Sequence, residues 1–298
     1  MSWAESEGIH HGGTETRRER QALTMIHPTA VVHAGARLGS GVTVGPFTCI
    51  EEDVTIGDDC RIGSHVAIMR YTTLGAGCAV HPNAVLGDLP QDLAFGNVPS
   101  EVRIGAGCTI REGVTVQRGT KEGTVTSIGD QCFLMAYAHC AHNVTLGKRV
   151  ILVNNVMLAG YVEVGDGVFI GGGAGVHQFC RVGRLAMLGG NSSVSVDVPP
   201  FMTTHSGEYN DIAALNVVGM RRAGLGGEAR KIIKRAFVLL YGTGLNRHEA
   251  VQRIRETLPA GAAHEIADFV ETSKRGICRP KRMGAPGATI LGGDVERE

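Results

Sequence analysis

Residues 134–160 read LMAYAHCAHNVTLGKRVILVNNVMLAG, and an apolar side chain recurs at every sixth position of this stretch. The repeated position is occupied by Leu134, Cys140, Leu146, Leu152 and Leu158. A period of six fits neither an amphipathic helix nor a half-buried strand, which alternates. A hexapeptide repeat is the sequence signature of a parallel β-helix, in which three short strands form one triangular coil and successive coils stack.

The repeat extends in both directions from this stretch. Its aliphatic position is occupied by Ile26, Val32, Leu38, Val44, Ile50, Ile56, Ile62, Ile68, Leu74, Val80 and Leu86, then by Ile104, Ile110 and Val116, and again from Ile128 to Val194. Because three hexads make one coil, residues eighteen positions apart stack at a strand spacing of about 4.8 Å. β-Helices of the hexapeptide class coil left-handed. The sequence therefore predicts a mainly β protein built on a parallel β-helix, followed by a small α-helical C-terminal domain. That the β-helix is left-handed is implied by its resemblance to the hexapeptide class and not by the repeat itself.

The limits of the repeat divide the chain into segments. We predict a disordered extension over residues 1–24, the β-helix over 25–200, a helical domain over 201–279 and a disordered tail over 280–298. Insertions at about 88–103 and 117–127 interrupt the coils, and loops that leave a rigid scaffold commonly carry binding groups. Pro199 and Pro200 cannot donate to a continuing ladder and end the β-helix. Three helices are predicted, from Glu228 to Tyr241, after the cap Asn246 through Leu258, and from about Ala263 to Ser273.

Composition limits the classes of partner. The 298 residues include 29 Lys+Arg and 29 Asp+Glu, so the formal net charge is zero. No general attraction to nucleic acid or to an anionic membrane is indicated. Residues 1–24 contain no apolar run, and we expect neither a signal peptide nor an integral membrane segment.

The eight cysteines contain no Cys-x-x-Cys pair, so no metal site is predicted. Five of them fall at one phase of the repeat, where they would fill the core as small apolar side chains: Cys60, Cys78, Cys108, Cys132 and Cys180. A disulfide framework is not expected in a chain of this length. The cysteines therefore indicate a reducing, cytoplasmic compartment.

Two histidines, His139 and His142, lie three residues apart in the opening stretch. Imidazole titrates near neutral pH, so a histidine can take a proton from an alcohol and return it to a leaving group. Stacking by eighteen residues places His142, Gly160 and Gln178 in one column, with His177 beside Gln178. A base and an unobstructed glycine N–H are parts that acyl transfer needs. The alternative is a solvated histidine on a regular surface, which we expect for His33, His65 and His81.

Eight short motifs follow one another along the chain. They are Ile-His-Pro-Thr-Ala from Ile26, Gln-Asp-Leu from Gln91, Arg-Gly-Thr from Arg118, Ala-His at His142, Leu-Ala-Gly at Gly160, Val-His-Gln-Phe-Cys around His177, Asp-Val-Pro-Pro from Asp197 and Asn-Val-Val-Gly-Met-Arg-Arg from Asn216. Over about Ile26 to Arg279 they resemble, in order, the acyl-ACP–UDP-N-acetylglucosamine O-acyltransferases, where ACP is acyl carrier protein. This family belongs to the hexapeptide-repeat acyltransferase superfamily and performs the first step of lipid A biosynthesis.

The resemblance implies a reaction and an assembly. An (R)-3-hydroxyacyl group would pass from its thioester on ACP to the 3-hydroxyl of UDP-N-acetylglucosamine. The enzyme would be a bacterial, cytoplasmic homotrimer with clefts between neighbouring subunits. It would use no cofactor and no metal, since the ACP thioester is the activated donor.

The resemblance also implies roles for single residues. His142 is similar to the general base of the family and Gly160 to its oxyanion donor. The sugar nucleotide would be bound by Asp92, His139, Tyr161, His177 and Gln178, and its phosphates by Asn216 and Arg222. Gly190 matches the residue that limits acyl length, and glycine there predicts a preference for a longer hydroxyacyl chain. The alternative for Gly190 is a corner that needs a positive φ.

A basic cluster is predicted near the end of the β-helix. It consists of Arg181, Arg184, Arg221 and Arg222. Such a cluster would suit docking of an acidic carrier protein. An ordinary solvated surface is the alternative.

The chain departs from the family near these residues. Ala94 stands where the family often has lysine, Asn143 where it often has aspartate, and Tyr161 where it has histidine. The loop after Pro200 also lacks the family's usual Gly-Asn turn. A second hypothesis therefore keeps the mechanism but changes the acceptor, for example to a 3-amino sugar nucleotide. A third is a non-catalytic nucleotide-sugar-binding homologue, against which the combination of His142, Gly160 and Asp92 argues.

Overall fold

The computed structural model describes residues 24–280. The disorder predicted for residues 1–24 and 280–298 lies outside these residues, apart from Thr24 and Pro280. Within the described chain, short β-strands fill the region of the hexapeptide repeat, and all helices follow it.

Most strands have only two or three residues. Before the first insertion they are β1 (Met25–Ile26), β2 (Val31–Val32), β3 (Arg37–Leu38), β4 (Thr43–Val44), β5 (Cys49–Ile50), β6 (Thr55–Ile56), β7 (Arg61–Ile62), β8 (Ala67–Ile68), β9 (Thr72–Leu74), β10 (Ala79–Val80) and β11 (Val85–Asp88). Between the insertions they are β12 (Glu101–Ile104), β13 (Thr109–Ile110) and β14 (Thr115–Gln117). After the second insertion they are β15 (Val125–Ile128), β16 (Phe133–Leu134), β17 (His139–Cys140), β18 (Thr145–Leu146), β19 (Ile151–Leu152), β20 (Met157–Leu158), β21 (Glu163–Val164), β22 (Phe169–Ile170), β23 (Gly175–Val176), β24 (Arg181–Val182), β25 (Met187–Leu188), β26 (Ser193–Val194), β27 (Met202–Thr204) and β28 (Ile212–Leu215).

From β1 to β26, every third strand pairs in parallel with the next of its set, which makes three faces. Face A runs β1, β4, β7, β10, β13, β16, β19, β22, β25, β27 and β28; face B runs from β2 through β5 to β26; and face C runs from β3 through β6 to β24. Paired residues are eighteen positions apart where no insertion intervenes, as for Phe133 and Ile151. The predicted left-handed parallel β-helix is confirmed.

The repeated aliphatic side chains form the core. Ile50, Leu74, Leu134 and Leu158 are at most 1% exposed, and burial of such a side chain contributes about 1.5–3 kcal/mol. The five cysteines predicted to be fillers are all buried. The three faces enclose a triangular prism. Since each coil repeats the same contacts, the core is one continuous column along this prism.

Both insertions join face B to face C. The first loop, residues 89–100, connects β11 to β12, and the second, residues 118–124, connects β14 to β15. The flanking strands are longer than the repeat indicated, so the loops are shorter than predicted. In later coils the same edge of the prism carries the corners at Asn143, Tyr161 and Phe179, whose φ angles of 61°, 61° and 64° are left-handed. We call this line of loops and corners the BC edge.

The C-terminal part is mixed rather than wholly helical. It opens with β27 and β28, which pair antiparallel and extend face A. The helices are α1 (Val217–Arg222), α2 (Gly227–Tyr241), α3 (Arg247–Thr257) and α4 (Ala262–Glu271). The last three confirm the predicted helices, including a capping box between Asn246 and Glu249. The sequence did not predict β27, β28 or α1, because each is too short to show a period. Among residues 24–280, no helix has the length and apolarity to cross a membrane.

Candidate active site

The BC edge brings together most of the residues singled out from the sequence. The Tyr161 N–H donates to the His142 carbonyl (3.1 Å), and the Phe179 N–H donates to the Gly160 carbonyl (3.1 Å). These ladder bonds stack the column of His142, Gly160 and Gln178 beside the column of corner residues. The predicted alignment of these three residues is therefore present.

The His142 ring packs directly on Gly160. A Cβ atom at residue 160 would lie 2.3 Å from His142 Cε1 and 2.7 Å from Nε2, so the ring can occupy this position only because residue 160 is glycine. The Tyr161 amide is used by His142 and the Ala159 amide by the Val176 carbonyl. The Gly160 amide has no acceptor among residues 24–280. A free N–H beside an imidazole is the arrangement that a developing oxyanion requires.

His139 lies on β17, inside the BC edge. Its Nδ1 is 2.7 Å from the Thr115 hydroxyl on the preceding coil. Burial, with a smaller contribution from His142, lowers the pKa of His139 below its ordinary value of 6.5. Because Nδ1 is engaged by Thr115, a neutral His139 has only its Nε2 left to donate to, or accept from, a polar ligand.

Asn143 and Tyr161 surround the His142 ring. The Asn143 Oδ1 is 3.1 Å from His142 Nδ1. The Tyr161 ring meets the His142 ring edge-on, with centroids 5.3 Å apart, and stacks on Phe179 at 4.9 Å. Thr120 from the second loop reaches both Asn143 Oδ1 (3.0 Å) and the Tyr161 hydroxyl (2.8 Å). The Tyr161 hydroxyl is therefore engaged by Thr120 while its ring lies beside the base, and the substrate contact expected for Tyr161 stays a prediction.

The first loop carries Asp92 to the same edge. One Asp92 carboxylate oxygen accepts a hydrogen bond from the Ala94 N–H (2.9 Å), which shapes the loop. The Gln91 N–H donates to the Gln117 side chain (3.3 Å) and so ties the first loop to the start of the second.

Arg118 strengthens the link between the two loops. Its guanidinium lies between the rings of Tyr71 (5.5 Å) and Phe95 (5.4 Å) and donates to the Asn97 side chain (3.2 Å). Burial lowers the pKa of Arg118 below its ordinary value. This buried cation fixes both loops to the prism, so Asp92 and Thr120 are held at one edge.

His177 and Gln178 lie exposed one coil beyond Gly160. Arg275, from the C-terminal segment, places Nη2 3.3 Å from His177 Nδ1 and donates from Nε to the Ser195 carbonyl (3.0 Å). The C-terminal segment therefore adds a cation beside His177, at the end of the BC edge that is nearer the C-terminus.

Three predicted site residues lie elsewhere on the chain. Gly190 follows β25 on face A and precedes β26 on face B, so it lies on a different edge from His142. Asn216 is buried, caps α1 through the Gly219 N–H (2.9 Å) and donates to the Leu185 carbonyl (2.8 Å). Arg222 is exposed in the last turn of α1. Within one chain, Gly190, Asn216 and Arg222 therefore lie away from the BC edge.

Gly190 does not adopt a positive φ. A Cβ atom there would be 3.4 Å from the Gly172 carbonyl oxygen, an ordinary contact. The alternative that Gly190 only serves a left-handed corner is therefore wrong, and a side chain can be introduced at this position without strain.

Two members of the predicted docking cluster are engaged within the chain. Arg181 contacts Asp197 (3.2 Å) and donates to the Phe269 carbonyl of α4 (2.9 Å), and Arg184 forms a bidentate pair with Glu265 of α4 (2.7 Å for the shorter contact). Both side chains fasten the helical domain to the prism, because Arg181 donates to the Phe269 carbonyl and Arg184 pairs with Glu265, both on α4. The expectation that they are free for a carrier protein is corrected accordingly. Arg221 and Arg222 are exposed at the end of α1.

Sequence reasoning missed Thr115, Thr120 and Arg275. Thr115 stacks under His139 after an insertion, so counting eighteen residues does not find it. Thr120 belongs to the Arg-Gly-Thr motif, but a loop has no repeat register. Arg275 meets His177 across 98 residues of sequence, and no local pattern indicates such a contact.

The fold and this edge together define a hexapeptide-repeat acyltransferase. A histidine with an open Nε2, an unused glycine N–H and two anchored loops can activate a hydroxyl and stabilise an oxyanion. Among residues 24–280, no group of three or more His, Cys, Asp or Glu side chains could hold a metal ion.

Comparisons with known proteins narrow this class. Residues 197–278 match the model of UDP-N-acetylglucosamine O-acyltransferase domain 2, and residues 53–88 match that of the bacterial transferase hexapeptide. The acyl-ACP–UDP-N-acetylglucosamine O-acyltransferase of Sinorhizobium fredii is 42% identical over 87% of this chain and 97% of its own length. That of Burkholderia lata is 40% identical over 86% of this chain and 100% of its own length.

Solved structures agree with these relatives. The UDP-N-acetylglucosamine acyltransferase of Francisella novicida is similar with a TM-score of 0.84 and 35% identity, over 87% of this chain and 95% of that one. The Campylobacter jejuni enzyme gives a TM-score of 0.81 and 36% identity, over 86% and 100%. The chain belongs to the acyl-ACP–UDP-N-acetylglucosamine O-acyltransferase family.

Proposed function

We propose that this enzyme transfers an (R)-3-hydroxyacyl group from ACP to the 3-hydroxyl of UDP-N-acetylglucosamine, the first step of lipid A biosynthesis. The observation that carries the proposal is the packing of His142 on Gly160, which puts a base beside an unused amide. The named relatives act on the same pair of substrates, and the chain covers nearly all of their length.

The geometry supports a one-base mechanism. His142 Nε2 takes the proton of the sugar 3-hydroxyl while the hydroxyl oxygen attacks the thioester carbonyl carbon. The carbonyl electron pair moves onto oxygen, and the Gly160 N–H donates to that oxyanion. When the intermediate collapses, the C–S bond breaks and the proton on His142 passes to the departing thiolate.

The remaining polar groups of the BC edge would bind the acceptor. Asp92 offers its second carboxylate oxygen to sugar hydroxyls, and His139, His177 and Gln178 line the same edge. The Tyr161 ring supplies an apolar wall beside the base. Because both loops are anchored by Arg118, this set is preorganised before substrate binds.

A homotrimer would complete the site. Gly190 and Arg222 lie on other edges of the chain, so they reach the BC edge only from a second copy. Sedimentation equilibrium should give three times the chain mass of 31.4 kDa. A monomeric, active protein would contradict this part of the proposal.

A bacterial cytoplasmic location belongs to the same proposal, and fractionation of producing cells tests it.

Acyl length provides a further prediction, at Gly190. The absence of a side chain at this residue leaves room for a long acyl chain, and each methylene contributes about 0.8 kcal/mol when buried. We expect a preference for longer hydroxyacyl donors, and Gly190→Met should shift it toward shorter ones. Competition between long and short hydroxyacyl-ACP measures the ratio, with Gly175→Ala as a control glycine whose added Cβ meets nothing closer than 4.0 Å. An unchanged ratio of long to short acyl transfer in a correctly assembled Gly190→Met protein would show that residue 190 does not set the acyl length.

A different acceptor remains the second candidate. Ala94, Asn143 and Tyr161 all depart from the family in or beside the acceptor edge. A 3-amino sugar nucleotide would need less activation by the base, which suits a neutral Asn143 beside His142. Direct competition between UDP-N-acetylglucosamine and its 3-amino analogue decides between the two acceptors.

The experiment that tests the function uses hydroxyacyl-ACP and labelled UDP-sugars. We expect O-acylated UDP-N-acetylglucosamine from the wild-type protein and a loss of about a hundredfold or more in His142→Ala. The exposed His33→Ala variant should retain full activity. No product with any UDP-sugar would favour the non-catalytic reading, and near-normal turnover in His142→Ala would remove His142 as the base.

Carrier docking is the remaining part of the proposal. The exposed pair Arg221 and Arg222 supports it, since ACP is acidic and both charges lie at one end of the prism. Arg221→Glu should raise KM for ACP, more strongly at low salt.

A further inference from the structure

Three hydrogen-bond contacts converge on one atom, the Asn143 Oδ1. They come from the Thr120 backbone nitrogen (3.2 Å), the Thr120 hydroxyl (3.0 Å) and His142 Nδ1 (3.1 Å). A backbone N–H can only donate, so the side-chain atom facing Thr120 must be the amide oxygen and not the amide nitrogen. The second loop therefore decides which way the Asn143 amide points.

The orientation of the amide determines the tautomer of His142. Since Oδ1 can only accept, the nearby His142 Nδ1 must carry a proton. In the neutral ring the other nitrogen, Nε2, is then the unprotonated one. Both ring nitrogens lie near Gly160, since an added Cβ would be 2.7 Å from Nε2 and 2.9 Å from Nδ1. Of the two, only Nδ1 contacts a side-chain partner among residues 24–280, so Nε2 is the nitrogen left for a substrate.

The direction of the hydrogen bond between the Thr120 and Tyr161 hydroxyls follows in the same way. The Thr120 hydroxyl has one proton, which it donates to Asn143 Oδ1. Its oxygen therefore accepts from the Tyr161 hydroxyl, 2.8 Å away. Tyr161 is held in place by its stacking on Phe179 (4.9 Å) and by its left-handed corner. Every donor in the chain from Tyr161 to His142 thus points toward Asn143 Oδ1.

We propose that Thr120 and Tyr161 are positioning residues that act through Asn143 and hold His142 as the Nδ1–H tautomer with Nε2 open for the reaction. That Nε2 serves as the base rests on the proposed function, whereas the tautomer does not. In this arrangement the Tyr161 hydroxyl acts by positioning His142 through Thr120 and Asn143, and not by binding the substrate. Asn143 provides orientation without charge, because an amide does not stabilise a protonated imidazole as a carboxylate would.

Nitrogen-15 NMR of histidine-labelled protein tests the tautomer without substrate. We expect a protonated Nδ1 and an unprotonated Nε2 in neutral His142, with the signals assigned by their loss in His142→Gln. Thr120→Val should shift the ring toward a mixture of tautomers, and Thr120→Ser should restore the wild-type spectrum. A wild-type ring protonated at Nε2, or a Thr120→Val spectrum equal to wild type, would overturn the proposal.

Kinetics test the consequence for the reaction. Tyr161→Phe removes one neutral hydrogen bond and should lower kcat about threefold to tenfold with little change in KM for the sugar nucleotide. Thr120→Val should lower kcat about tenfold, while Thr120→Ser stays within about threefold of wild type. Tyr137→Phe is the matched control, because Tyr137 occupies a corner with φ 60° on another edge and is 66% exposed. Equal kcat values for Thr120→Val and Thr120→Ser would contradict the positioning role.

A charge at residue 143 gives an independent readout. Asn143→Asp keeps the acceptor but adds a carboxylate beside His142, whose other titratable neighbours are His139 and Tyr161. A carboxylate stabilises the protonated ring, so the acid limb of the kcat/KM profile should move to higher pH by about one unit or more. An unmoved limb would show that residue 143 does not contact the base. If no UDP-sugar is turned over but the NMR result holds, the proposed function fails and the tautomer assignment stands.

Discussion

At the scale of the residue, His142 and Gly160 illustrate how stacking converts sequence distance into chemistry. The ring of one coil lies where the next coil has no side chain, and the amide of that coil stays unused. Neither residue has this property alone. The chemistry of the BC edge therefore depends on the missing Cβ atom of Gly160 as much as on the imidazole of His142.

Gly160→Ala should therefore damage activity more than stability. Its Cβ would lie 2.3 Å from His142 Cε1, so the ring must swing away from the amide. We expect kcat to fall about a hundredfold or more, comparable to loss of the base, with correct assembly. Gly175→Ala adds the same methyl group in an open position and should leave kcat near wild type. Comparable activity of the two variants would contradict the packing.

The lowered pKa of His139 has a consequence for stability. The folded protein holds His139 neutral at pH values where the unfolded chain binds a proton, so the unfolded state gains protons as pH falls below about 6.5. The free energy of unfolding should therefore fall as pH drops through this window, down to the folded pKa. His139→Asn should reduce that slope, and the exposed His33→Asn should not. Thermal unfolding from pH 7.5 to 5 measures both slopes, and equal slopes would be inconsistent with the burial of His139.

At the scale of the element, the prism and the helical domain are joined by two arginines that the sequence suggested for another purpose. Arg181 meets Asp197, whose side chain is only 2% exposed, and its guanidinium lies 4.4 Å from the centre of the Phe269 ring of α4. Arg184 pairs with Glu265 on the same helix. Positive charge near the end of the prism was visible in the sequence, but its partners on α4 were not, because Glu265 and Phe269 follow 81 and 88 residues later.

Arg181→Ala should destabilise the fold strongly. Removing one partner of a buried pair leaves the other charge without compensation, which costs about 3 kcal/mol or more. Arg255→Ala is the control, because its pairs with Asp268 and Glu271 are exposed and should contribute at most about 1 kcal/mol. Urea unfolding of the two variants measures the difference. Similar losses in both would argue against a buried clamp at Asp197.

At the scale of the whole molecule, the prism is a single core closed to solvent along its length. Seven of the eight cysteines are buried, and only Cys49 is exposed. Hydrogen bonds to neighbouring thiols, together with burial, raise the pKa of Cys78 and Cys108 to about 11, and burial raises the pKa of Cys140 to about 12. Such thiols form little thiolate at neutral pH and react slowly.

Thiol titration therefore reports whether the prism stays closed. At pH 8 the native protein should show at most one fast thiol, removed in Cys49→Ser, and eight after denaturation. Two or more fast thiols in Cys49→Ser would mean that the coils open to solvent.

The sequence by itself determined the β-helix, its eighteen-residue stacking and the column of His142, Gly160 and Gln178. This was possible because each coil has the same neighbours as the last, so position within the hexad fixes both burial and partner. Tertiary structure alone decided the contacts of Thr120 with Asn143 and Tyr161, 23 and 41 residues away, of Arg275 with His177, and of Arg181 with α4. Each of these contacts has one partner in a loop or in the C-terminal domain, where no period relates sequence distance to space. Their partners follow from how separately formed elements pack, which no local pattern encodes.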